Sequence, residues 1–255
     1  MLGAGGRMGR AVASELAREG AAGILAAACD RPGSDAVGRE IAPGVRVGDD
    51  LAEALAACDV YIDFTSPEAT RRAAREASAR GVAAVIGTTG LSAEAEAALA
   101  ELAVAAPVLQ APNFSLGVNL VLELAESAAR ALGHEFDLEI VEAHHRHKRD
   151  APSGTARALA EAVAAGRGLD AGEASLGGRQ GDVGARPRDE IGVHALRGGS
   201  VVGDHTAHFL GPSERVEITH RAESRQIFAA GAVKAALWLA QRPAGRYAMR
   251  DVLGL

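Results

Sequence analysis

Lysine is nearly absent from this chain. Of its 27 basic side chains only Lys148 and Lys234 are lysines, which leaves 25 arginines. Aromatic residues are equally scarce, at 3%. A core for 255 residues must therefore be built mainly from Ala, Val, Leu and Ile. The only cysteines, Cys29 and Cys58, have no metal-ligand spacing. That excludes a disulfide framework and a thiolate metal site, and reads as two reduced thiols in a cytoplasmic protein. No apolar run is long enough to span a membrane, and no charged-then-apolar leader is visible. An excess of positive charge is missing too: the net charge is -6, with no basic stripe. This argues against nucleic acid or a membrane surface as partner.

What is present is 48% hydrophobic residues in a length that suits one large domain or two modest ones. The first half alternates short apolar runs with Ala-rich amphipathic stretches. The pattern predicts strands over Ile24 to Cys29, Val60 to Phe64, Val82 to Ile86 and Val108 to Gln110. Helices are expected over Glu68 to Arg80 and Ser92 to Ala103, with Pro67 and Ser92 at their starts and Gly81 as a stop. Such alternation implies a parallel sheet covered on both faces. After Phe114 the pattern changes. A helix over Leu116 to Leu132 leads to a strand over Asp137 to Ala143, a polar loop and a helix from Gly154. Gly172 to Asp189, rich in glycine and charge, reads as a mobile loop. Runs over Ile191 to Arg197, Val201 to Phe209 and Val216 to Arg221 predict a largely antiparallel sheet. A final helix over Ile227 to Gln241 is expected to return to the first domain.

The chemistry begins at Gly3-Ala4-Gly5-Gly6-Arg7-Met8-Gly9, ahead of a helical stretch ending near Glu19. Glycines let a backbone approach a pyrophosphate, whose charge the following helix start then binds. Met8 stands where the usual third glycine would fall, so the loop is a variant. Asp30 ends the next strand, where an acid bonds the adenosine ribose. Arg31 beside it either neutralises a 2′-phosphate or is a solvated loop charge. Only Met1 and Leu2 precede Gly3, where a full buried strand is expected. Either the start is placed too late, the preferred reading, or the chain is truncated, and the loop then has no strand to hold it. At later strand ends stand Thr65-Ser66-Pro67, Gly87-Thr88-Thr89-Gly90 and Ala111-Pro112-Asn113-Phe114-Ser115, three loops able to line one crevice.

The most informative segment runs from Glu142 to Thr155 and holds His144, His145, His147 and Lys148. It reads as a site for an anion that needs a proton. Imidazole exchanges protons near neutral pH. A lysine kept in so arginine-biased a chain does what arginine cannot, such as releasing a proton. Ser153 caps a helix whose first N–H groups, with Gly154 and Thr155, can bind a carboxylate. His144 and His145 face opposite ways on a strand and so take different roles. Zinc on His-His-x-His is the main rival for these residues. The neighbouring lysine and the lack of a completing ligand speak against it, and no metal is expected.

Taken together, these stretches resemble the 4-hydroxy-tetrahydrodipicolinate reductase (dihydrodipicolinate reductase) family from Gly3 onward. The resemblance rests on Gly-Arg-Met-Gly, Ile62-Asp63-Phe64-Thr65, Gly87-Thr88-Thr89-Gly90, Asn113-Phe114-Ser115 and Gly117-Val118-Asn119. The specific part is Glu142 to Lys148 with Asp150 to Thr155; Gly203-Asp204-His205-Thr206 and Met249 to Leu253 fit as well. It implies an α/β protein with a Rossmann-like dinucleotide-binding domain, residues 1–114 and 225–255, its first strand truncated. An inserted α+β domain, residues 115–224, would bind substrate and form a homotetramer. The implied activity is reduction of a small cyclic dicarboxylate by NADH or NADPH with loss of water, in lysine and diaminopimelate biosynthesis in the cytoplasm. His144 would be the proton donor or acceptor and Lys148 the acid protonating the reduced ring. His145 would touch the substrate, with Ser153, Gly154 and Thr155 holding a carboxylate. Gly3, Ala4, Gly5, Gly6, Arg7 and Met8 would cradle the pyrophosphate, and Asp30 and Arg31 the adenosine ribose. Gly87, Thr88 and Thr89 with Ala111, Pro112, Asn113 and Phe114 would flank the nicotinamide. Three rivals remain: another nicotinamide dehydrogenase, against which the His144-His145-Lys148 set speaks; a cofactor sensor without turnover; and a structural module.

Overall fold

Alternating side-chain direction with both faces buried organises the first unit of the computed structural model, which describes residues 1–18 and 25–255. Its strands are β1 (Ala28–Cys29), β2 (Glu40–Ala42), β3 (Val45–Gly48), β4 (Val60–Asp63), β5 (Ala83–Ile86) and β6 (Pro107–Gln110). Along β4 to β6, Tyr61, Ala84, Ile86 and Val108 pack on one side; Ile62, Ala83, Val85 and Leu109 pack on the other. Both sides of the sheet are dry, so these strands read as nearly continuous apolar runs. On the Tyr61 side lie α2 (Leu51–Ala56), α3 (Pro67–Ser78) and α4 (Ala93–Ala105). Pro67 and Ser92 stand at the starts of α3 and α4 as expected: Pro67 opens the first turn after Ser66, whose Oγ accepts from the Ala69 N–H, and Ser92 Oγ accepts from the Ala95 N–H. The other side takes α1 (Arg7–Arg18). The predicted ends of α1 at Glu19 and of the β1 run at Ile24 lie outside the described residues.

The second unit, Gly117–Arg225, has a mixed sheet. Most of α5 (Leu116–Leu132) lies in it, followed by β7 (Asp137–His144), α6 (Gly154–Arg167), α7 (Ala171–Ala174) and β8 (Ser175–Gly177). Then come β9 (Ile191–Arg197), β10 (Gly203–Leu210) and β11 (Arg215–Ala222), in the sheet order β11-β10-β7-β9-β8. The largely antiparallel sheet expected from the sequence is thereby corrected, because β7–β9 and β8–β9 are parallel. The physical reason is the crossover: the helix and the long segment between β7 and β9 carry the chain back to the same end of the sheet. Gly172 to Asp189 is likewise more structured than expected, containing part of α7 and all of β8. Arg186 ties that segment to β7 through the Asp137 and Glu139 carboxylates and the Leu138 carbonyl. Residues α5 and α6 bury, such as Ala125, Leu159 and Val163, meet Leu138, Ile140, Ile191 and Phe209 of the sheet.

Gln226 brings the chain back to the first unit as α8 (Gln226–Leu239), β12 (Gly245–Tyr247) and α9 (Met249–Leu253). Compact unit 1 thus holds Met1–Leu116 and Gln226–Leu255; the sequence reading set the divisions at 114 and 224. Strand β12 extends the parallel order β12-β6-β5-β4. Leu2 makes parallel bridges to both Asp63 of β4 and Cys29 of β1, joining this sheet to β1-β3-β2. Leu2 therefore stands between β1 and β4. Leu2 N–H donates to the Ile62 carbonyl at 2.9 Å, and the Met1 carbonyl accepts from Cys29 N–H at 2.9 Å. The expectation that nothing holds the glycine loop is corrected by these bonds. The result is a doubly covered parallel α/β unit of Rossmann type with an inserted α+β unit.

Candidate active site

The glycine loop turns directly off Leu2. Gly3 has φ +71°, and a Cβ there would lie 2.9 Å from Thr65 Cγ2 and 3.0 Å from the Phe64 carbonyl oxygen. At Gly9 a Cβ would lie 2.3 Å from the Gly3 carbonyl oxygen, so only glycine lets α1 dock on the loop. A cavity of about 420 Å³ opens here, lined by Leu2, Gly3, Gly6, Asp30, Arg31 and Thr65 among others. It is a cradle that added side chains would fill, beside a helix start and two cations, Arg31 and Arg72. These residues fit the pyrophosphate and adenosine ribose of a dinucleotide.

Asp30 does more than its position at a strand end implies. Its Oδ2 accepts from the Gly5 N–H at 2.7 Å and its Oδ1 from the Arg31 N–H at 2.8 Å, so the carboxylate holds the loop in shape. Other predicted cofactor residues divide. Ala4 and Gly5 line an adjoining hollow with Arg31, and Ala4 N–H is spent on the Cys29 carbonyl. Arg7 and Met8 lie in the first turn of α1. Neither the Gly87 to Thr89 loop nor the Ala111 to Phe114 loop lines that cavity. Ala111 and Phe114 are buried, and the Phe114 ring stands edge-on to Phe64 at 5.6 Å. Asn113 Oδ1 accepts from the Ser115 N–H, a local turn. Pro112 stands exposed between them.

A residue that sequence reasoning left without a role links two of these loops. Asp63, at the end of β4, is fully buried. Its carboxylate accepts from Thr65 Oγ1 at 2.5 Å, Thr70 Oγ1 at 2.7 Å and Thr88 Oγ1 at 3.2 Å. Thr88 Oγ1 in turn accepts from the Thr65 N–H. Burial pushes the Asp63 carboxyl above the usual range, and the threonine donors pull against it. The only hint in the sequence is the clustering of threonines after an apolar run.

In the second unit the proton-handling residues converge. Alternation along β7 turns Glu142 and His144 inward, and both are buried. His144 Nδ1 lies 2.6 Å from Glu142 Oε2. Its ring meets His205 of β10 edge-on at 5.1 Å. His145 turns the other way, with Nε2 at 3.1 Å from the Arg225 guanidinium. Desolvation first, then Arg225, holds that imidazole below the usual histidine range. Lys148 pairs with Asp150 at 3.0 Å, and its backbone N–H donates to the His145 carbonyl.

Five residues on from Lys148, Ser153 caps α6, its Oγ accepting from the Ala156 N–H. Ser153 N–H donates to Glu142 Oε1 at 2.9 Å, and Ser153 Oγ lies 3.0 Å from His205 Nε2. Ser153 is therefore engaged on every side within the chain. It shapes the helix start, and the exposed Gly154 with Thr155 stands at the open end. Burial drives His205 down to about 4. Glu142 is pushed up by burial, but Arg197, His144 and the Ser153 N–H outweigh this and hold it below the usual carboxylate range. Arg197, on β9, and Arg225 were missed by sequence reasoning, since isolated arginines carry no local signal in so arginine-rich a chain. No group of His, Cys, Asp or Glu among the described residues is arranged to hold a metal ion.

Known proteins offer close counterparts. Residues 1–114 match the family of the dihydrodipicolinate reductase N-terminus, and residues 117–253 that of its C-terminus. A 4-hydroxy-tetrahydrodipicolinate reductase of Alkalilimnicola ehrlichii is 53% identical, the match covering 100% of this chain and 98% of that protein. One from Anaeromyxobacter dehalogenans is 51% identical, covering 100% and 97%. Among solved structures, the dipicolinate-bound dihydrodipicolinate reductase from Paenisporosarcina sp. TG-14 shares the fold with a TM-score of 0.76. It is 24% identical, with 98% of this chain and 96% of that one aligned. Both halves of the sequence lead to one family, and the chain belongs to the dihydrodipicolinate reductases.

Proposed function

We propose that this chain reduces 4-hydroxy-tetrahydrodipicolinate to tetrahydrodipicolinate with NADH or NADPH and loss of water, in the cytoplasmic synthesis of diaminopimelate and lysine. The observation that carries the reading is one continuous segment holding a carboxylate-bound imidazole, an ammonium and a capped helix start, at His144, Lys148 and Gly154. A cyclic dicarboxylate that must be protonated needs all three. The bound nicotinamide supplies the hydride. Lys148 gives the proton to the reduced ring, and His144 gives or takes a proton at Nε2. Gly154 and Thr155 hold one carboxylate at the start of α6, and His145 contacts the other part of the ring. Ser153 contributes by holding that helix start in place. On the cofactor side, Gly3 to Met8 meet the pyrophosphate and Asp30 with Arg31 the adenosine ribose. The loops at Gly87 to Thr89 and Ala111 to Phe114 flank the nicotinamide. Free thiols at Cys29 and Cys58 agree with a reducing cytoplasm.

The test is oxidation of NADH and NADPH by freshly made 4-hydroxy-tetrahydrodipicolinate, generated in place from pyruvate and aspartate semialdehyde. Turnover is expected, and the two rates read the cofactor preference. The paired variant His144→Ala with Lys148→Ala is expected to lose turnover while cofactor binding, followed by nicotinamide fluorescence, stays within about twofold. Loss of cofactor binding in that variant would assign the cluster to the nucleotide site instead. A folded, cofactor-binding wild type without turnover would favour a non-catalytic sensor.

A further inference from the structure

Glu142, buried in the second unit, is engaged at both carboxylate oxygens. Arg197 meets it with both ends of the guanidinium, 2.7 Å to Oε2 and 2.8 Å to Oε1. Oε2 also faces His144 Nδ1 at 2.6 Å, and Oε1 also accepts from the Ser153 N–H at 2.9 Å. Two oxygens carry about four lone-pair sites, and all of them are used. The residue itself has no exposed surface. Arg197 reaches further, donating to the Asp150 carbonyl at 2.6 Å, while the Asp150 side chain holds Lys148. One carboxylate–guanidinium pair therefore touches the strand end at His144, the loop after Lys148 and the cap of α6.

A carboxylate facing Nδ1 makes that nitrogen the protonated one in a neutral imidazole. The lone pair then sits on Nε2. Nε2 lies on the side of Gly203, where a Cβ would come within 2.9 Å of it. A glycine at this point of β10 leaves the ring room to hold that orientation. Bidentate geometry needs arginine, since lysine is a point charge that cannot span both oxygens.

We propose that Glu142, pinned by Arg197, is a positioning residue that fixes His144 in its Nδ1–H tautomer and holds it in register with Lys148 and the start of α6. This rests on the reductase reading for its catalytic consequence, but the tautomer itself is independent of turnover. The experiment pairs two measurements on the full-length protein. A long-range proton–nitrogen correlation spectrum of histidine-labelled protein, assigned with His144→Gln, reads the tautomer. Steady-state kinetics on the wild type, Glu142→Gln, Arg197→Lys and the double variant read kcat and KM.

The expected wild-type signal is Nδ1–H, shifting to a mixture of tautomers in Glu142→Gln. There kcat falls by roughly 100-fold, with KM and cofactor Kd within about twofold. Arg197→Lys is expected to lose roughly 10-fold in kcat alone and little more in the Glu142→Gln background, because it acts through Glu142. Should Glu142→Gln fail to fold, Arg197→Lys carries the test through the same tautomer shift. An Nε2–H signal in the wild type, or a tautomer unchanged in the variants, overturns the proposal whether or not the protein turns over. In an active enzyme, additive losses from Glu142→Gln and Arg197→Lys overturn it as well. Absent turnover with the expected tautomer shift would instead strike the reductase reading and leave the positioning role standing.

Discussion

His205 shows what burial does to one titratable side chain. It is 5% exposed, packed edge-on to His144 and held to Ser153. Desolvation is the largest cause of its fall from 6.5 to about 4. The native state therefore resists a proton that the unfolded chain accepts below about 6.5. Stability from this group is fully present above that pH and is lost as pH falls toward 4. The whole shift corresponds to roughly 3 kcal/mol. His205→Gln is expected to flatten the dependence of urea midpoint on pH between about 4 and 6.5. An unchanged slope would show that another group governs this limb. Glu139 acts lower on the scale: Arg179, His194 and Arg186 overcome its burial and hold it at about 2, so its contribution fades only below the ordinary glutamate range. The sequence marked His144 and Lys148 by their neighbours, whereas Glu142 becomes a hub because alternation buries it and Asp63 because its strand is covered on both faces. A period-two pattern reports which face a residue takes, but not which donors arrive there from other strands.

At the scale of elements, close approach explains what composition leaves open. Gly231 lies in the middle of α8, where glycine is a poor helix former. A Cβ there would fall 1.7 Å from the Phe114 carbonyl oxygen, so α8 packs directly on the loop after β6. Gly231→Ala is expected to cost roughly 1–3 kcal/mol despite its better helix propensity. The urea midpoint checks this: an increase would mean that the loop yields freely. Helix starts at Pro67, Ser92 and Ser153 were legible because first-turn proline and serine caps act locally. The bounds of α5 were legible too, from its apolar period. The β2–β3 hairpin and α2 were not, since these elements are short and Val47 is the one fully buried residue of the two strands. Nor was the direction of β9. Local pattern identifies a strand, but partner and direction depend on where the crossover returns.

For the whole molecule, two compact units each own a core made largely of small and aliphatic residues. The homotetramer expected for this family remains a proposal about the second unit. Sedimentation equilibrium is expected to give a mass near four times the 26.0 kDa chain, and a monomer mass would dismiss it. Composition and local order alone settle the core chemistry, the alternation of strands and helices, the glycine loop and the His144–Lys148 segment. These depend on neighbours in sequence, so they can be read along the chain. Folding alone decides that Leu2 bridges β1 and β4, that Asp30, expected to take the adenosine ribose, holds the glycine loop, and that Arg197 reaches Glu142 across 55 positions. Each is a meeting of groups distant in sequence inside a dry interior. There an unpaired polar atom is costly, and pairing partners are set by packing.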